Sequence, residues 1–173
     1  QLLCCGADKS ISLWCLNTGT KLKQFEGDNE QIIVLSKLTA NTFVSGGTSG
    51  CLKFWNIDTG KCIHSEAAHN SDVFAISYDA ISQVMVSASD DFLVKVWQLK
   101  IEEDSIKCIL KFTVENPFEQ ECRAIVSLEG QRVLIGDFDG NMFVIDLQTG
   151  KCISTMEKAH TAGIWQLVRH SVL

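Results

Sequence analysis

A histidine, a serine and an aspartate, His69, Ser89 and Asp91, fall within one short stretch and could supply base, nucleophile and orienting acid. That chemistry needs an exposed nucleophile, an oxyanion hole and a pocket, and the Gly-x-Ser-x-Gly elbow is missing. Ser45-Gly46-Gly47-Thr48-Ser49-Gly50 is as glycine-rich as a phosphate loop, but it lacks the Gly-Lys-Ser/Thr end and runs into a strand pattern. In Asp137-Phe138-Asp139-Gly140-Asn141 the glycine comes too early for a calcium loop, and Gln148 stands where a bidentate glutamate is needed. The eight cysteines include no Cys-x-x-Cys pair, and Cys4 and Cys5 are adjacent, so their side chains diverge on a strand. His64 and His170 have no partners at ligand spacing. The expectation is no enzyme, no cofactor and no metal, with reduced cysteines acting as small hydrophobes.

The elements that carry these residues repeat. Thr-Gly-Lys-Cys-Ile occurs at 59–63 and again at 149–153, with weaker copies at Leu16 to Leu22 and Ile106 to Leu110. Upstream of each copy an apolar segment ends at Trp14, Trp55, Trp97 or Ile145, and these anchors stand 41, 42 and 48 residues apart. Short alternating strands between turn signals at that period define a propeller blade of four strands. In the clearest copy the strands are expected at about 73–78, 83–88, 93–99 and 107–112. Cys62, Cys108 and Cys152 then occupy one position of the outer strand in three successive blades. Either Glu102 to Ser105 or the stretch from Glu115 to Glu121 lengthens the third interval.

The third repeat carries Ala68-His69, Ser89-Asp90-Asp91 and Trp97-Gln98, and on these motifs the chain resembles the WD-repeat β-propellers. The resemblance implies a structural hydrogen-bond network of His69, Ser89, Asp91 and Trp97. The other blades depart from it. Asp8 and Trp14 remain in the first, with Gly6 for serine. Trp55 alone remains in the second, where Asp28 is near the histidine position, Gly47 replaces serine and Ser49 replaces aspartate. Asp139 remains in the fourth, with Asp137 for serine and Ile145 for tryptophan, and His160 opens a further blade. Those blades are expected to rely on packing. The fold expected is all-β, about four four-stranded blades and 16 strands of a seven- or eight-bladed ring. The blade remnants are 1–26, 27–67, 68–113, 114–158 and 159–173.

A net charge of −6 with no basic run argues against nucleic acid or an anionic membrane as partner. No apolar run approaches the roughly 20 residues of a spanning helix. With no signal peptide and no Asn-x-Ser/Thr acceptor, an intracellular location, cytoplasmic or nuclear, is expected.

The resemblance implies that other proteins or peptides bind the narrow top face, built from the loops entering each blade and the turns before each third strand. The residues placed there are Gln31, Ile33 and Thr48, then Asp72, Phe74 and Asp90, then Glu121, Arg123 and Phe138, with Gly163 and Trp165 in the last remnant. Phe74, Arg123, Phe138 and Trp165 are of the types that dominate interface hot spots, and removing Phe74, Arg123 or Trp165 is expected to spare stability. The function expected is a non-enzymatic interaction scaffold or adaptor. Two alternatives stay open: a substrate-recognition subunit of a ubiquitin ligase of the F-box propeller kind, and the non-catalytic propeller region of a larger enzyme. In isolation this piece is expected to self-associate through open blade edges.

Overall fold

Period-two alternation with both faces apolar, as in Val84-Met85-Val86, demands a strand covered on two sides. A computed structural model, describing residues 1–25, 30–102 and 105–169, builds every blade around such a strand. The strands are β1 Leu2–Cys5, β2 Ile11–Cys15, β3 Thr20–Phe25, β4 Ile32–Lys37, β5 Thr42–Gly47, β6 Cys51–Asn56, β7 Cys62–Ala67 and β8 Val73–Asp79. There follow β9 Val84–Ser89, β10 Leu93–Ile101, β11 Ile106–Glu115, β12 Cys122–Leu128, β13 Arg132–Asp137, β14 Met142–Asp146 and β15 Lys151–Met156. All pairings are antiparallel between sequence neighbours: one sheet of three strands, β1–β3, then three of four. The described residues thus carry 15 strands where 16 were expected. The segment after β15 docks on β13 through the Ile164 amide, which donates to the Asp137 carbonyl at 2.9 Å, without forming a strand.

The core lies between blades. Val84, Val86 and Ala88 pack with Val133, Ile135, Phe143 and Ile145 of the next sheet. Met85, on the opposite face of β9, joins Val44, Leu52 and Phe54 of the preceding sheet. A third layer sets Phe25 edge-on to Phe43, which lies parallel to Trp55 at 6.1 Å. The innermost strands β1, β4, β8 and β12 contact one another in turn, as blades around a common axis must.

Two bulges recur. In all four sheets the outer hairpin slips by one residue at the anchor, so that Trp14 faces Lys21, Trp55 faces Cys62, Trp97 faces Leu110 and Ile145 faces Cys152. This corrects the equivalence drawn from sequence. Cys62 and Cys152 are equivalent, but Leu110 fills that place in the third blade, while Cys108 lies opposite Leu99. The anchor is thirteen residues from its partner there and seven in the second blade, and this difference of six accounts for the whole excess of the third interval. The longer hairpin tip is therefore the cause; Glu103 and Asp104 within it lie outside the described residues.

The second bulge is on the innermost strands. Val73 faces Ser89 and Ala75 faces Ala88, leaving Phe74 unopposed; Ile33 and Arg123 are unopposed in the same way in the neighbouring sheets. A bulge re-aims its extra side chain out of the pleat.

Candidate interaction surface

The third blade holds a buried relay. Trp97 Nε1 donates to Ser87 Oγ at 2.9 Å, Ser87 Oγ lies 2.8 Å from His69 Nε2, and His69 Nδ1 lies 3.0 Å from Asp91 Oδ2. A carboxylate can only accept, so Nδ1 donates to Asp91, and a ring with that one proton accepts at Nε2 from the Ser87 hydroxyl, whose oxygen accepts from Trp97. Such a ring is neutral. That agrees with its pKa, which burial pushes below the ordinary histidine value against the pull of Asp91. Burial opposes ionisation of Asp91, but the amides of Asn70 and Leu93 and the His69 ring hold its pKa below the usual carboxylate value.

The serine of the network is thus Ser87, not Ser89. Ser89 pins the turn instead, donating to the Ser71 carbonyl and accepting the Asp91 amide at 3.1 Å. Ser87, His69 and Asp91 have the connectivity of a hydrolytic triad, but Ser87 is fully buried beneath the Trp97 indole, whose N–H it accepts, so no substrate carbonyl can reach it.

Polar pinning also persists where packing alone was expected. Ser45 Oγ accepts from Trp55 Nε1 at 2.9 Å, so the second blade keeps the serine–tryptophan half of the relay; its Asp28 lies outside the described residues. In the fourth blade Asp137, fully buried, accepts from the Asn141 amide (2.8 Å), Asn141 Nδ2 (2.9 Å), the Asp139 amide (3.0 Å) and Asn116 Nδ2 (3.3 Å). Asn116 stands where His69 stands, because the amides of His69, Asn116 and His160 each donate to the carbonyl of a positive-φ turn residue: Gly50, Phe92 and Gly140. Asp139 is left to pair with Lys158 at 3.7 Å, and His160 is exposed. In the first blade Asp8 is exposed and binds the amide and hydroxyl of Ser10, and Trp14 is half-buried under Lys21.

The top rim assembles from three consecutive blades. One backbone hydrogen bond recurs there, from Thr48 to Gln31, Asp90 to Asp72 and Phe138 to Glu121, at 3.0–3.1 Å. It brings each turn to its entry loop beside the bulge residue. The Arg123 guanidinium lies 3.6 Å over the Phe74 ring and 5.2 and 5.3 Å from the rings of Phe138 and Trp165. Its Nη2 donates to Asp90 at 3.0 Å and to Glu121 at 2.6 Å. Phe138 and Trp165 meet edge-to-face at 6.0 Å and stay 43% and 66% exposed.

Burial raises the Asp90 pKa to about 6; the attraction of Arg123 is outweighed once the repulsion of Glu121, Asp72 and Asp91 is added. Asp72, Phe74, Asp90, Glu121, Arg123, Phe138 and Trp165 are thus one cluster, whereas Gln31, Ile33 and Thr48 form the rim of the preceding blade, where Thr48 bonds Glu30. The Arg123 side chain is only 11% exposed, so its removal will not spare stability as the sequence suggested.

Radial four-stranded sheets with repeated bulges and a Trp–Ser–His–Asp relay define a WD-type propeller array. The family model "WD domain, G-beta repeat" matches residues 60–98, which run from β7, the outer strand of the second blade, through β8 and β9 into β10 of the third. Autophagy-related protein 16 of Arabidopsis thaliana is 32% identical over 86% of this chain and 28% of its own length. WD repeat-containing protein 55 of the same plant is 24% identical over 83% of this chain and 39% of its own. Eukaryotic translation initiation factor 3 subunit I of Scheffersomyces stipitis is 22% identical over 87% of this chain and 46% of its own. The chain belongs to the WD-repeat family, and it spans less than half the length of these relatives.

Proposed function

We propose that this chain is part of a non-enzymatic interaction scaffold whose partners, proteins or peptides, dock on the top rim of the third and fourth blades. One observation carries the reading: Phe138 and Trp165, large and apolar, are held out in solvent by a guanidinium and two carboxylates instead of collapsing into the core. Exposed aromatics beside an arginine are the composition of interface hot spots. That relatives are named as a WD-repeat protein and as a subunit of an initiation factor supports the same reading. Recognition of phosphorylated substrates for a ubiquitin ligase is less favoured, because Arg123 is already engaged by Asp90 and Glu121.

The test compares the proteins that co-purify with the full-length wild type, with Phe138→Ser/Trp165→Ala, and with Ile81→Ser, a 96% exposed residue in the β8–β9 turn at the other end of the third blade. Partners lost from the rim variant and kept by Ile81→Ser support the reading. Retention of every partner by the rim variant contradicts it.

A further inference from the structure

Resting on the rim reading, we infer that the segment docking there presents a cationic side chain, lysine or arginine, which lies across the exposed faces of Trp165 and Phe138 and is met by Glu121 and Asp72. One guanidinium pairs with two carboxylates, Asp90 and Glu121, and Asp72 lies near enough to repel Asp90, so the cluster carries excess negative charge. Arg123 is spent. Its plane lies on Phe74, its Nη2 holds both Asp90 and Glu121, and its unsatisfied Nε is buried out of reach. An anionic group approaching it would meet the two carboxylates that already neutralise its charge. A cation meets the opposite situation, because Glu121 keeps 34% of its side chain exposed.

The aromatic geometry agrees. The faces of Trp165 and Phe138 attract cations through the ring quadrupole, and their edge-to-face packing leaves ring surface open beside the acids. The methylene stem of lysine or arginine can cover that apolar surface while its head stays hydrated and paired. An acid and an exposed aromatic together discriminate charge as well as shape.

The test titrates isotope-labelled full-length protein with five nonapeptides of one sequence, differing only at the centre: arginine, lysine, norleucine, glutamate or phosphoserine. Displacement of the Trp165 indole N–H resonance is the readout. The arginine and lysine peptides should bind about tenfold more tightly than the norleucine peptide, an advantage that shrinks in Glu121→Gln and Asp72→Asn and at high salt. Tighter binding of the phosphoserine or glutamate peptide overturns the inference. Equal binding of the norleucine and arginine peptides, abolished by Trp165→Ala, also overturns it while leaving the rim as a docking surface. Absence of binding by all five peptides overturns the charge assignment as well; the rim reading then stands or falls on co-purification.

Discussion

Ser87 joins two nitrogens that are otherwise buried without a partner, so its hydroxyl carries more of the third blade's stability than any other serine of the turn. Ser87→Ala should cost about 1–3 kcal/mol, and Ser89→Ala, which frees one amide at a tighter turn, should cost less. Urea unfolding of the two variants checks the order. Asp91→Ala should match Ser87→Ala, since it orphans His69 and the amides of Asn70 and Leu93. The pH dependence follows from the same groups. A histidine whose folded pKa is lowered takes up no proton where the unfolded chain does, so this relay loses stability as pH falls below the ordinary histidine range. Asp90, raised to about 6, acts in the opposite sense: its ionisation opposes folding, and that penalty lifts as pH falls through about 6. In an Asp90→Asn background the melting temperature should therefore drop more steeply between pH 7 and 5 than in the wild type. Much of this is legible in the sequence. His69, Asp91 and Trp97 stand out by their motifs, but the motif names a serine two places before the aspartate. Only strand register shows that Ser87, ten residues before its tryptophan as Ser45 is, turns to the same face as the indole.

The blade boundaries and turns can be read from sequence because Trp14, Trp55, Trp97 and Thr-Gly recur, and each blade repeats one chain path. The bulges cannot: a one-residue slip leaves no trace in composition, and it moves the equivalence of Cys62 from Cys108 to Leu110. The consequence is chemical. Cys108 is half-buried, and burial pushes its thiol up to about 12, while Cys62 and Cys152 are exposed. Iodoacetamide should modify Cys62 and Cys152 in the native protein and leave Cys108 and the buried Cys122 intact until it unfolds. Peptide mass mapping over a time course reads this directly, and early loss of Cys108 contradicts the register. Blade contact has an equally specific requirement. Val73 of β8 and Ile164 seat over Gly46 and Gly136 of the preceding blades, where a Cβ would fall 2.8 Å and 2.7 Å from their methyl groups. Gly46→Ala should thus cost about 1–3 kcal/mol through overpacking, and Val73→Ala a similar amount through a cavity. Combining the two should cost less than the sum, because each relieves the other.

At the scale of the whole molecule, three apolar layers join four sheets, but the last sheet has an open side: all six residues of β15 are exposed, Ile153 and Met156 among them. The 173-residue chain alone should therefore form concentration-dependent oligomers on size exclusion, whereas the full-length protein, run as the control, should not. The rim is a property of this scale as well, since its residues come from separate blades and meet only when β8, β12 and the Ile164 segment pack together. Residue type and strand alternation mark Phe74, Arg123, Phe138 and Trp165 one by one, but not that Arg123 holds all three rings while bound to two acids. The most direct test of the rim as the docking surface places a photo-crosslinking phenylalanine at position 138 or at position 81 of the full-length protein in cells. Covalent partner adducts from position 138 and none of the same species from position 81 are the predicted result. Adducts at 81 with none at 138 would contradict it.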